Sequence, residues 1–344
     1  MTKDPAAETT PFSIEQALTR FDQLIDRLGT AQRPAVVTPE VESEESIVDE
    51  LEPGAPDAID EVVEPDVEAA VATSAVPAAA PKASVPDPYA DAPVVLEVSG
   101  LVKRFGSTVA VDGVDLEVRA GQIFGIVGPN GAGKTTTLSI VTGVLRPDQG
   151  NVLVGGRDVW VEPAAAKRDM GILPDRLLLF DRLTGRQLLY YSGMLRGLDR
   201  ATVLSRTEEL IRAFDLEDAQ DRLVTDYSAG MTRKVALAAA LIHSPRLLIL
   251  DEPFESVDAV SVATVLGILR RYADAGGTVV LSSHSMDLVE SVCDSIAVVA
   301  EGRVLTSGTT ESVRGDTTLE ERFVRLIGEL QPGEDMEWLR SFSV

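Results

Sequence analysis

The sequence predicts an α/β fold around a parallel sheet, with a β-rich flank, a helical insertion and an acidic N-terminal extension. Three observations carry that prediction. A glycine-rich loop at 128–135 sits between an apolar run, 122–127, and a helix-like run, 136–141. Two further runs, 247–250 and 278–281, are apolar almost without interruption and end in polar residues. Strands covered on both faces read in this way, because neither face alternates with polar positions. Finally, of a formal net charge of −24, most falls in the first quarter, where residues 1–95 hold 20 acidic and 5 basic side chains.

In chain order, residues 13–28 come first. Ile14, Ala17, Leu18, Phe21, Leu24, Ile25 and Leu28 recur at helical spacing on one face. Ser13 and Gln16 fit a capping box and Gly29 a stop, so residues 1–33 are read as an amphipathic helical segment. Its apolar stripe has two destinations, the globular part of the same chain or a partner or second copy, and the sequence leaves both open. From 34 to 81 there is no Lys or Arg, and acids alternate with Pro, Ala and Val without a period. Like charges repel and little apolar surface is available to offset ordering entropy, so 34–92 is expected to be a disordered acidic linker. A solvated spacer and an arm lying on a basic surface both fit that composition.

Folding is expected to resume near Pro93. Residues 94–98 and 114–118 read as strands, as do 150–154, 247–250, 278–281 and 295–299. Residues 164–243 read as mainly helical, with a helical subdomain over about 175–243 and segments at 188–195 and 203–214. A hairpin is expected at 301–303 and a closing helix at 319–330, leaving 331–344 as a tail.

Composition also excludes. An acidic balance with no basic stripe argues against a nucleic-acid partner. The one cysteine, Cys293, cannot form an internal disulfide and reads as a small buried hydrophobe in a reducing compartment. No signal-peptide pattern follows Met1, and no window offers about 18 consecutive apolar residues, so a cytoplasmic protein is expected, any membrane role coming through a partner.

The loop Gly128-Pro129-Asn130-Gly131-Ala132-Gly133-Lys134-Thr135 matches G-x-x-x-x-G-K-[ST]. Its three glycines let the backbone turn tightly and aim N–H groups at phosphate oxygens. Lys134 reaches the β and γ phosphates, Thr135 offers its hydroxyl to Mg²⁺, and the positive end of the following helix faces the same anion. Asp251 and Glu252 place two carboxylates at the end of a buried strand, where an uncompensated charge is costly. Beside a phosphate loop, Asp251 supports Mg²⁺ and Glu252 polarises the attacking water as general base. His284, at the tip of the next strand, reads either as structural or as a contact to the γ-phosphate and that water. His243 reads as structural. Ser228 and Gly230 before a helix make either an ordinary N-cap or a second anion-binding corner.

Together these residues resemble the ATP-binding subunit of an ATP-binding cassette (ABC) transporter over roughly 94–330. The chain order carries the resemblance: an aromatic, the phosphate loop, a Pro-centred segment at 172–175, the signature at 227–231, the Asp-Glu pair, Asp258 in a short loop, then His284. The signature with the 319–323 segment looks most like the single-cassette exporter (ABC-2-like) branch, whose membrane proteins are separately encoded. The resemblance implies a P-loop NTPase (RecA-like) core over 93–330, with an antiparallel β flank. It implies that Phe105 stacks on adenine, that residues 128–136, including Thr136, hold the phosphates, and that Thr135 and Asp251 serve Mg²⁺. Glu252 is then the catalytic base of an ATPase and His284 the γ-phosphate switch. Asp258 bridges two cassettes, and Ser228, Ala229, Gly230 and Met231 close in trans on ATP held by a second ATPase subunit. A transmembrane permease subunit and peripheral placement on the inner face of the cell membrane are also implied.

Three positions depart from the family pattern. The usual Leu-Ser-Gly-Gly-Gln has Tyr227, Ala229 and Met231 at three of its five positions; Asp175 stands where Gln is usual; and Ala239 replaces an Arg found in many members. Those departures leave an alternative function, a regulatory or structural cassette that controls a partner without transport.

Overall fold

The fold is taken from a computed structural model, which describes residues 87–180 and 182–330. The expected helix at 13–28, the acidic segment as far as 86 and the tail after 330 lie outside the described residues. Within the stretch expected to be linker, residues 87–92 are described, and they form turns. Arg119 Nη1 donates to Ala90 O at 2.7 Å and to Ala92 O at 2.9 Å, so one guanidinium ties this turn to the domain.

Two long strands follow, β1 (Val94–Phe105) and β2 (Thr108–Arg119), paired antiparallel over their whole length. Only 94–98 and 114–118 were legible as strands. Register shifts between Val98 and Leu101 and between Lys103 and Arg104 break the two-residue alternation, so pairing extends a hairpin whose middle has no clean period. Next come β3 (Ile123–Val127), α1 (Lys134–Val141), β4 (Gln149–Val154), β5 (Arg157–Asp158), α2 (Pro163–Arg168) and β6 (Met170–Leu173). Strand β6 corrects the mainly helical reading of 164–243: four residues are too few to display a period, and pairing with β7 creates the strand.

The helical insertion contains α3 (Gly185–Leu195), α4 (Arg200–Ala213), a 3₁₀ turn (Val224–Asp226) and α5 (Ala229–Leu241). Each helix start is chemically marked. Thr184 and Gln187 form a capping box on α3, Asp199 accepts from Thr202 N on α4, and Ser228 accepts from Met231 N on α5. The remainder is β7 (Leu247–Leu250), α6 (Ala259–Asp274), β8 (Thr278–Ser283), α7 (Met286–Val292), β9 (Ser295–Ala300), β10 (Arg303–Thr309), α8 (Thr310–Arg314) and α9 (Leu319–Leu330).

The described residues form a four-stranded sheet, β2-β1-β4-β5, and a six-stranded sheet, β10-β9-β3-β8-β7-β6. Strands β9, β3, β8, β7 and β6 are parallel and β10 is antiparallel. Alternate residues of the larger sheet feed two cores. Phe124, Ile126, Leu247, Ile249, Val280, Ala297 and Val299 join the β flank and α1. Ile123, Val127, Leu248, Leu250, Val279, Leu281, Ile296 and Val298 join the helices. That two-sided burial is the reason these runs are continuously apolar. Gly125 lies where a β carbon would stand 2.9 Å from Cys293 Sγ, so α7 packs directly on β3 backbone. Cys293 is buried as expected, and burial pushes its thiol pKa up. The C-terminal ends of β3, β7 and β8 open side by side, where the loops of parallel sheets carry ligands.

Candidate active site

The 128–135 loop leaves β3 and enters α1 with Gly131 at φ 83° and Gly133 at φ 98°, backbone that L side chains adopt only at a cost. Space is also closed there: a β carbon on Gly128 would lie 2.1 Å from Val299 O, and one on Gly133 2.3 Å from Ala110 O. Gly131 is therefore required by conformation, Gly128 by packing and Gly133 by both. Lys134 is buried, and its Nζ donates to Gly128 O at 2.8 Å and Pro129 O at 3.2 Å. The same ammonium lies 3.3 Å from Glu252 Oε1, tying the loop to the end of β7.

Asp251 and Glu252 are placed by a residue that sequence reading passed over. Ser282, fully buried on β8, donates to Asp251 Oδ1 at 2.6 Å and accepts from the Glu252 N–H at 2.8 Å. Its only sequence signal was a hydroxyl ending an apolar strand. Thr135 Oγ1 donates to the same Asp251 oxygen at 3.2 Å. Burial raises the Asp251 pKa, with the two hydroxyl hydrogen bonds working in the opposite direction. Glu252 stands at φ 46°, a conformation costing about 1–2 kcal/mol for an L residue, and the Ser282 hydrogen bond holds it there. Its second oxygen, Oε2, lies 3.0 Å from His284 Nδ1, so the carboxylate bridges Lys134 and His284.

These groups surround a polar cavity of about 270 Å³, lined by loop residues 130–136 with Ala110, Asp175, Glu252, Glu255 and His284. Behind Asp175 and Glu255 lies Arg233 of α5, largely buried, with Nη2 at 3.8 Å from Asp175 Oδ1 and 3.9 Å from Glu255 Oε2. Its Nη1 is buried without a hydrogen-bond partner. Arg233 and Glu255 were not anticipated, because nothing local in the sequence joins α5 to the loops after β6 and β7.

The structure thus brings the loop, Asp251, Glu252, Asp175 and His284 together. Ser228–Met231 are not in this cavity. They start α5, with Ser228 and Ala229 exposed, and a β carbon on Gly230 would lie 3.1 Å from Asp258 Oδ2. Asp258 caps α6 through Ser261 N (2.9 Å) and Val260 N (3.1 Å), and hydrogen bonding from Ser261 above all holds its carboxyl below the usual range. Phe105 stands apart at the β1–β2 turn, half exposed, with Lys103 Nζ 5.7 Å from its ring centre. His243 is structural in its contacts: its Nε2–H donates to Met170 O at 2.9 Å.

The donor set fits a small hard cation held together with phosphate. Thr135 and Asp251 present oxygen ligands side by side, and among the described residues no cluster of three or more His, Cys, Asp or Glu forms a protein-only metal cage. Mg²⁺ characteristically takes one or two protein oxygens and completes its shell with water and phosphate. The glycine loop, Lys134 and the α1 N-terminus meet the chemistry of the phosphates. Among the described residues, no helix is long and apolar enough to cross a membrane.

Comparison with known proteins gives the same answer. Residues 111–255 match the family model described as ABC transporter. The chain is 43% identical over 219 residues to the daunorubicin/doxorubicin resistance ATP-binding protein DrrA of Streptomyces peucetius, covering 64% of this chain and 66% of that protein. It is 35% identical over 231 residues to the linearmycin resistance ATP-binding protein LnrL of Bacillus subtilis (strain 168), covering 66% of this chain and 74% of that one. A solved structure, the ATP-binding subunit of an ABC transporter, superposes with a TM-score of 0.64 at 29% identity, covering 68% of this chain and 99% of its own. A P-loop cassette fold, a matched family model and relatives of this similarity establish that the chain belongs to the ABC transporter ATP-binding proteins.

Proposed function

We propose that this chain is the ATP-hydrolysing subunit of a membrane exporter, working as a dimer of cassettes beneath a separately encoded permease. The observation that carries the catalytic reading is the Glu252 carboxylate, held between Lys134 and His284 and next to the Thr135–Asp251 pair. Loop N–H groups and Lys134 bind and orient the triphosphate. Glu252 accepts a proton from the attacking water, and His284 fixes the carboxylate oxygen opposite Lys134. Mg²⁺, held by Thr135 and Asp251, supplies neutralisation of charge on the phosphate oxygens. Asp175 and Glu255 line the same cavity, and with Asp251 and Glu252 they outnumber the cations Lys134 and Arg233, an excess of negative charge that such a cation would offset.

The dimer reading is supported by the exposed start of α5, which is a helix N-terminus with an available hydroxyl that its own cavity does not use. Ser228 and Gly230 then meet the γ-phosphate of a second copy, with Asp258 at the junction. The exporter reading draws on the drug-resistance names of both relatives.

The test has two arms. Lys134→Ala is expected to weaken ATP binding by at least tenfold in a direct titration; unchanged affinity would contradict the site. Glu252→Gln is expected to trap an ATP-dependent dimer in size-exclusion chromatography, while wild-type turnover rises on co-purification with a polytopic membrane protein. A cassette that turns over ATP and controls a soluble partner, without ever associating with membranes, sinks the exporter reading and leaves the regulatory one.

A further inference from the structure

The helical insertion exposes apolar side chains that its own domain leaves uncovered. Leu178 is 93% exposed, Leu195 80% and Phe180 64%. Phe180, Leu183, Tyr191 and Leu195 line, with Arg182, a groove of about 470 Å³. Contiguous apolar surface of this kind on a soluble domain marks a docking site. Arg182 lines the groove and Arg176 stands on the exposed segment leading into it, and among the described residues neither has a carboxylate partner.

We propose that residues 13–28 of the same chain occupy this groove as an amphipathic helix, their acidic edge against Arg176 and Arg182. At about 100° per residue, Ile14, Leu18, Phe21, Ile25 and Leu28 fall on one face. Glu15, Asp22 and Asp26 then form a row along one edge of that face, while Arg20 and Arg27 lie along the other. An apolar stripe with an acidic margin complements an apolar groove with an arginine margin.

Connection favours this occupant over a second copy. The 58 residues from Gly29 to Pro86 join the segment to the domain. A coil of that length spans about 40 Å root-mean-square, enough to cross the domain, and tethering on this scale gives an effective concentration of about a millimolar. A second copy at micromolar concentration competes at a disadvantage of roughly a thousandfold. Any other protein that uses the groove must first displace this segment.

Hydrogen–deuterium exchange on the full chain tests the assignment without reading ATP turnover, so its outcome is separate from that of the transport reading. Peptides from 13–28 are expected to exchange at least tenfold more slowly than a free peptide, independently of protein concentration. Phe180→Asp and Arg182→Glu are each expected to abolish that protection while ATP affinity stays unchanged. Adding Asp22→Arg with Asp26→Arg to Arg182→Glu is expected to restore it. Free-peptide rates at 13–28 in the unmodified chain, or protection that survives Phe180→Asp, overturn the proposal. So does protection that grows with concentration, which assigns the groove to a second copy. Protection acquired only with a membrane protein present assigns the groove to that protein and likewise overturns it.

Discussion

Ser282 joins the two carboxylates of the site through one hydroxyl, donating to Asp251 and accepting from the Glu252 backbone. A buried group with both functions is costly to remove, because Asp251 loses a donor in a desolvated place and Glu252 loses its hold at positive φ. Ser282→Ala is therefore expected to lower kcat by about 10–100-fold, the usual effect of removing a partner that orients a site ligand. The dissociation constant for ATP is expected to stay within about threefold, since phosphate binding rests on the loop and Lys134. Ser282→Thr is expected to recover part of the loss. Steady-state kinetics beside a nucleotide titration separates the two; equal losses in kcat and affinity would make Ser282 a general structural residue. Asp251 and Glu252 were legible because they are adjacent and close an apolar run. Ser282 was not, because its hydroxyl acquires a role only once Leu250 and Leu281 pair across β7 and β8.

Helix α5 has a second connection to the site besides its N-terminus. Arg233 lies between Asp175, which follows β6, and Glu255, which follows β7, at distances too long for hydrogen bonds and short enough for strong Coulomb attraction at a buried position. The acid at 175, where Gln is usual in the family, thus has a cation facing it from the signature helix. Asp175→Asn and Arg233→Gln are each expected to lower kcat/KM, and the double variant is expected to be little worse than either single one. A double-mutant cycle checks this, with an expected coupling of about 0.5–2 kcal/mol; strict additivity would remove the link. No local pattern could have predicted it. The three residues belong to three segments that meet only when the insertion packs on the sheet edge, whereas the start of α5 was legible locally in the Ser228 cap.

For the molecule as a whole, that packing leaves a pH signature. His243 follows α5 and bonds to Met170 on β6, with Arg196 and Arg206 nearby donating to Lys167 O and Ile242 O. Burial, then the Arg196 charge, lowers the His243 pKa from 6.5 to about 4, and its Nδ1 is buried without a partner. The unfolded chain therefore takes up the proton first as pH falls. The contribution of neutral His243 is fully present above about pH 6.5 and is lost progressively down to about pH 4. His243→Gln is expected to flatten the pH dependence of unfolding free energy in that window by up to about 1.4 kcal/mol per pH unit. Urea unfolding at pH 7 and pH 5 measures it, and identical slopes for variant and wild type would contradict the assignment.

The sequence by itself determined the chemistry that is contiguous along the chain. It located the 128–135 loop between a strand and a helix, the Asp251–Glu252 pair, the central apolar strands and the Ser228 cap, because each depends on neighbours a few residues away. The structure decided what depends on pairing and packing across long separations. It extended β1 and β2 past their broken alternation, made a strand of 170–173, left Phe105 outside the lining of the cavity, and set Ser282 and Arg233 behind the acids. Local periodicity is set by the backbone's own geometry, whereas a contact such as Arg233 with Asp175 exists only after distant segments have been buried together.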